Sequence, residues 1–279
     1  MQPSDLEKSS LTPAVNFRFG ASPREDTRST PVETAVNIVY APLPYAVMMA
    51  TPADLEDFAA GFSLTEGVID SVDEIRSIEV EPQERGLRLV VTLGAERMQR
   101  HLARTRNMAG RTGCGLCGID DLSALPAARV SGRERGPLRL SSVQRALAQL
   151  PAHQPLNDLT HAVHAAAWCD AQGALVAARE DVGRHNALDK LIGALTRAGT
   201  DAGDGFILIT SRCSFEMVEK AATFGAGAIV AVSAPTSLAI ERAQVHNMTL
   251  VAIARADGAM CFAGAERVID DLAQERRIA

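Results

Sequence analysis

From about residue 160 the chain alternates short apolar runs with amphipathic stretches, and few folds accept that order. The runs at 162 to 168, 174 to 178, "FILIT" at 206 to 210, "AIVAV" at 228 to 232 and "LVAI" at 250 to 253 have the length of buried strands. Between them, Leu188, Leu191, Ile192 and Leu195 share one face of a helix that ends at Gly199, and "SFEMVEKAATFG" makes a second helix closed by Gly225. Strands separated by single helices imply crossovers and a largely parallel sheet covered by helices. The expected fold class is therefore α/β, with this unit spanning residues 136 to 279.

The first half reads differently. Residues 1 to 30 are polar, mixed in charge and rich in Ser, Pro and Thr, the composition of a mobile N-terminal tail. "TAVNIVYAPLPYAVMMA" is strand material broken by Pro42 and Pro44. In "TPADLEDFAAGFSLTEG", Thr51 is a candidate cap and Pro52 suits the first helical position, with Leu55, Phe58, Ala59 and Phe62 on one face. "LRLVVTL" near residue 90 adds a strand, so residues 31 to 105 make a small α+β unit. Residues 106 to 135, rich in Arg, Gly and Asp with little periodicity, read as a long loop of the kind that carries function.

A chain of 279 residues, 47% of them hydrophobic, buries a real core without a metal or disulfide staple. The N-terminus lacks a secretory signal and no stretch approaches the ~20 apolar residues of a spanning helix, which points to a cytoplasmic protein off the membrane. Five cysteines, three of them scattered singly, do not make a secreted disulfide framework. A formal charge of -6 argues against a general nucleic-acid binder.

Within the loop, "GRTGCGLCG" sets Cys114 and Cys117 three apart among glycines. Thiolate acidity rises near positive charge and unpaired backbone N–H groups, which Arg111, Gly113, Gly115 and Gly118 supply. Half of a zinc site is the bland reading, but no second such pair exists to complete it. A thioredoxin-like pair opens a helix after a strand, whereas this one sits in a glycine-rich loop. His161 and His164 in "THAVHAAAWCD" lie three apart, each as readily a core or surface residue as a site residue. In "REDVGRHNALDK", Glu180, Asp181, Arg184 and His185 crowd a helix start, where N–H groups and the dipole favour an anion. Capping plus a surface ion pair explains that cluster equally well. "TSRCSFEMVEK" repeats the geometry with Ser211, Arg212 and Ser214, and two such sites at the ends of neighbouring parallel strands build a crevice for a phosphorylated ligand.

Together "GRTGCGLCG", "HAAAW", "EDVGRHNALDK", "SRCSFEMVEKA", "VSAPTSLA" and "YAVMMATPADLEDFAAGFSLTEG" strongly resemble the formate dehydrogenase accessory sulfurtransferase (FdhD) family, in family order over roughly residues 31 to 265. The resemblance implies a cytoplasmic homodimer with a cytidine-deaminase-like C-terminal domain. It implies a protein that takes persulfide sulfur from a cysteine desulfurase and passes it to a molybdenum bis-guanine-dinucleotide cofactor destined for formate dehydrogenase. Cys114 matches the family's persulfide-bearing cysteine, with Cys117 as relay or second acceptor. Arg111, Arg184, His185, Ser211 and Arg212 are then candidate contacts to that cargo. So is the segment matching the family's cofactor-binding stretch near the C-terminus: Ile253, Ala254, Arg255, Ala256, Asp257 and Gly258. Ala256 and Asp257 depart from the proline or glycine that relatives often carry there. Two rival functions remain: a cofactor-holding chaperone with a structural zinc, and a zinc nucleotide deaminase, for which the H-x-E glutamate and the P-C-x-x-C order are both missing. No resident metal is expected.

Overall fold

The computed structural model describes residues 6–105, 128, 135–203 and 205–272. Ser9–Asn16 (β1) and Arg24–Pro31 (β2) form an antiparallel ribbon in register from Ser9 opposite Pro31 to Asn16 opposite Arg24. This corrects the reading of residues 1 to 30 as a mobile tail. Five of the sixteen ribbon residues are threonine or valine, which suit a pleated backbone. The hydroxyls of Thr12 and Thr30 pair across the strands at 2.8 Å.

The first compact unit contains Thr34–Tyr40 (β3), Leu43–Ala50 (β4), Leu55–Thr65 (α1), Ile75–Gln83 (β5), Gly86–Leu93 (β6) and Ala95–Thr105 (α2). Its sheet runs in the order β4-β3-β6-β5, with β3 and β6 parallel and the outer pairs antiparallel. The stripe of Leu55, Phe58, Ala59 and Phe62 on α1 covers it, packing on Val36, Ile38, Leu89 and Val91. The helix starts later than the Thr-Pro signal suggests. Leu55 is the first helical residue, after Asp54 in a left-handed conformation that makes no side-chain cap. Thr51 is unavailable because its hydroxyl accepts from the Val182 N–H at 3.2 Å, in the second unit.

That unit follows as Leu138–Arg139 (β7), Leu140–Gln149 (α3), Pro155–Thr160 (α4), His164–Cys169 (β8), Leu175–Asp181 (β9), Arg184–Arg197 (α5), Phe206–Ile209 (β10), Phe215–Phe224 (α6), Ala228–Ala231 (β11), Ser237–Val245 (α7), Thr249–Arg255 (β12), Gly258–Ala263 (β13) and Val268–Ile269 (β14). Short β14 pairs with β7; the six others form one sheet, β13-β12-β11-β10-β8-β9. The apolar runs fall on its strands, but the sheet is mixed rather than largely parallel. Only β10/β11 and β11/β12 are parallel neighbours. The β8–β9 and β12–β13 connections are hairpins too short for a crossover helix. In the first, the Asp170 carboxylate accepts the N–H groups of Gln172 and Ala174. Helices α5, α6 and α7 bury Leu188, Leu191, Met217, Val218 and Ala239 on one face of the sheet, and α3 buries Val143 and Ala146 on the other, giving three layers.

The two units meet along α1 and α5, and their glycines decide how closely. A Cβ on Gly61 would lie 1.8 Å from the Asp189 carbonyl oxygen, and one on Gly193 1.8 Å from that of Asp57. Arg197 bridges Asp57 and Glu56 at 2.5 and 2.6 Å, and Arg179 reaches Asp57 at 2.7 Å. Deeper in the seam, the Asp181 carboxylate accepts from Lys190 Nζ at 2.6 Å and from the Thr51 N–H at 3.0 Å, while Lys190 also donates to the Thr51 carbonyl.

Candidate functional site at the strand ends

Pairing places β9, β10, β11 and β12 pointing the same way, so all four end on one edge of the six-stranded sheet. Three of them feed helices: β9 enters α5 at Gly183, β10 enters α6 at Ser214 and β11 enters α7 at Thr236. Backbone bonds weld the connecting segments together. Cys213 N–H donates to the Ala234 carbonyl at 3.2 Å, Thr236 N–H to Cys213 at 3.0 Å, and Ile253 N–H to Ser233 at 3.1 Å. The segments "TSRCS", "SAPT" and "IARADG" are thereby brought side by side.

The three helix starts differ in how their N–H groups are satisfied. Thr236 caps α7, its hydroxyl accepting from Ala239 N–H at 3.3 Å. Gly183 has no side chain to cap α5, and Ser214 makes no capping bond to α6. Among the described residues, Ser214 Oγ and Arg184 Nε are buried without a hydrogen-bond partner. Two helix N-termini with unused donors and an adjacent guanidinium favour negative charge. His185 Nε2 lies 3.0 Å from Glu216 Oε2 and pins the first turn of α5 to that of α6. Burial alone would raise the Glu216 carboxyl, but the hydrogen bond and charge of His185, with Lys220 and Arg184 nearby, hold it below its ordinary value. Burial, reinforced by the Arg184 charge, lowers His164, so its imidazole is neutral at neutral pH.

The sequence candidates separate on this geometry. Arg184 and His185 open α5, and Arg212 is exposed just before α6. Ser211 is buried and its hydroxyl donates to the Arg212 carbonyl at 3.0 Å. Glu180 and Asp181 belong to other tasks: Glu180 accepts the N–H groups of Leu156 and Asn157 at the start of α4, and Asp181 is consumed by the seam. His161 is exposed at the end of α4 with φ 52°. In the segment from 253 to 258, Ile253 takes a left-handed φ of 52° at a bulge, costly for a β-branched residue, and Ala254 is buried under the sheet. Arg255, Ala256, Asp257 and Gly258 are exposed beyond the sheet edge.

Cys114, Cys117 and Arg111 lie outside the described residues. Closest to them in the chain on the C-terminal side is Ala128, whose N–H donates to Glu219 Oε2 on α6 at 2.6 Å. Arg135 follows, donating to the Gly225 carbonyl at the end of that helix at 2.8 Å. Glu219 is itself held by Arg242 at 2.5 Å and His246 at 3.1 Å. Burial pushes the thiols of Cys169 and Cys213 up to about 12, which makes both poor nucleophiles. No group of three or more His, Cys, Asp or Glu among the described residues has the geometry to hold a metal ion. No described helix is long and apolar enough to cross a membrane.

Sequence reasoning missed the buried ion pairs of α5 and α6. Asp189 pairs with Lys220 at 2.9 Å, and Asp181 with Lys190. The available signal was charge inside an apolar stripe: "NALDKLIGAL" sets Asp189 and Lys190 where a helix covering a sheet expects leucine.

A model of the FdhD/NarQ family matches residues 31–269. A Bordetella petrii protein named sulfur carrier protein FdhD is 45% identical over 236 residues, 85% of this chain and 85% of its own. A protein of the same name from Cupriavidus necator is 44% identical over 236 residues, 85% of this chain and 82% of its own. A crystal structure from Desulfotalea psychrophila, described as a formate dehydrogenase accessory protein, superposes with a TM-score of 0.72 at 26% identity, covering 94% of this chain and all of that one. With the family pattern running through both units and the strand-end crevice, the chain belongs to the FdhD/NarQ family.

Proposed function

We propose that this protein is a sulfur carrier that serves formate dehydrogenase. In this reading a thiolate at Cys114 attacks the outer sulfur of a cysteine desulfurase persulfide. The sulfur–sulfur bond of the donor breaks, a new one forms at Cys114, and the desulfurase thiolate leaves. Cys117 acts as relay or second acceptor, and the sulfur is then delivered to the molybdenum bis-guanine-dinucleotide cargo. The carrying observation is the pair of helix starts without side-chain caps, pinned together by His185 and Glu216 and flanked by Arg184 and Arg212. That arrangement suits the pyrophosphate groups of the cargo, with Arg255 and the exposed residues to Gly258 alongside. The layered C-terminal unit serves as a deaminase-like scaffold without deaminase chemistry, working in the cytoplasm as a homodimer.

Persulfide transfer is read directly by mass. Incubation with a cysteine desulfurase and cysteine adds sulfur to the peptide containing Cys114, and Cys114→Ala abolishes the gain. An unmodified peptide in wild type, under conditions where the desulfurase loads another acceptor, overturns the assignment.

A further inference from the structure

Where the two units meet, a cavity of about 270 Å³ opens between β4, the end of α1 and the first turns of α5 and α6. Pockets that enclose whole small molecules run to roughly 300–1,000 Å³, so this one has the size for a side chain. Its walls are apolar: Met48 and Phe62 lie inside, with Val47 and Met49 at the mouth, 54% and 48% exposed. Its polar groups are mostly acidic. Glu219 is taken up by Arg242 and His246, which leaves Glu66, Asp189 and Glu216 facing Lys220 and His185. Three carboxylates outnumber these two basic groups, so the floor stays negative whether or not His185 is protonated.

The mouth of the cavity lies on an edge strand. β4 is terminal in its sheet, and its sequence, LPYAVMMA, contains no charged residue. Proteins usually blunt such edges with charge, bulges or a covering element, because an apolar edge pairs with other chains. The Met49 carbonyl accepts from Asn186 Nδ2 at 2.8 Å, which fixes the strand against α5 beside the cavity.

We propose that this junction docks an extended segment of a partner protein that carries a lysine or arginine between apolar residues. The segment adds as a strand along β4, and its basic side chain passes between Met48 and Phe62 to the carboxylates. Long basic side chains bury an aliphatic stem while presenting charge at the tip. In strand addition, main-chain hydrogen bonds supply affinity and pockets for alternate side chains supply specificity. The proposal does not depend on the sulfur-carrier reading.

The test titrates the full-length protein against a fluorescent, end-blocked peptide of alternating valine and arginine, and against the same peptide with glutamate for arginine. Saturable anisotropy is expected for the arginine peptide, with the glutamate peptide weaker by about tenfold or more, the scale of one charge-assisted contact. Met49→Lys and Glu66→Gln should each weaken binding while thermal melts stay cooperative. Glu84→Lys, an equal charge change in the exposed β5–β6 turn, should not. Equal binding of the two peptides overturns the proposal. So does equal weakening by Glu84→Lys and Met49→Lys, which reduces the effect to the net charge of -6. Self-association through β4 that the arginine peptide fails to displace assigns the edge to a second copy instead.

Discussion

Two basic residues show how burial divides structural from functional charge. Lys190 is fully buried with both its carboxylate and carbonyl partners in the seam, whereas Arg212 is exposed at the strand ends. Removing one member of a buried pair strands the other, at about 3–5 kcal/mol. Lys190→Ala should therefore lower the urea midpoint sharply. Arg212→Ala should leave that midpoint in place yet weaken GDP binding in calorimetry by about 1.5–3 kcal/mol, the scale of a charged hydrogen bond. A variant Arg212→Ala that binds GDP like wild type would remove this residue from the site. Residue identity alone did not separate these roles. In "REDVGRHNALDK" the sequence places Glu180, Asp181, Arg184 and His185 together, but only contacts made 23 to 130 residues away show that Glu180 and Asp181 are spent elsewhere.

At the scale of elements, legibility followed whether the deciding contacts were local. Helix α6 lies where its spacing puts it and ends at Gly225 with φ 92°, because a left-handed C-cap is a property of a few adjacent residues. The start of α1 was misplaced because the Thr51 hydroxyl is bonded to Val182, far along the chain. The ribbon of β1 and β2 escaped notice because its polar composition masks a strand alternation. Nothing in the spacing of α1 or α5 reveals that they touch at Gly61 and Gly193. Because backbone lies where a methyl group would go, Gly61→Ala must push the helices apart, and overpacking of a close contact costs about 1–3 kcal/mol or more. The check is chemical denaturation of Gly61→Ala beside Gly199→Ala. Gly199 has open space around it but a φ of +67°, so its loss reports backbone strain alone. An equal or smaller loss at Gly61 would show that the seam yields.

For the molecule as a whole, the charged seam sets the response to pH. Glu216 is held below its ordinary value when folded, so its contribution is present above the unfolded pKa and is lost as pH falls through the folded one, below the ~4.3 of a free glutamate. Burial would lower Lys220, but the carboxylates of Asp189 and Glu66 hold it above its ordinary value. Its contribution is complete below the unfolded pKa of about 10.4 and is lost as pH rises through the folded one. Stability should thus fall at both extremes, and Glu216→Gln should blunt the acid limb while sparing the alkaline one. An unchanged acid limb would assign that loss to other carboxylates. The strand-end crevice was largely legible, since alternating strands and helices imply it. The junction cavity was not, because its walls come from two units that the sequence reads as independent.

The glycine contact between α1 and α5 also bears on how the fold comes apart. Two helices whose backbones touch leave no room for solvent, so neither unit can loosen without breaking the packing that holds the other. The smaller sheet has α1 as its cover, and that same helix is clamped by Arg179 and Arg197 of the larger unit. The cooperative unit of unfolding is therefore the whole chain from β3 onward. Its heat-capacity trace should be a single peak in which neither half has a melting temperature of its own.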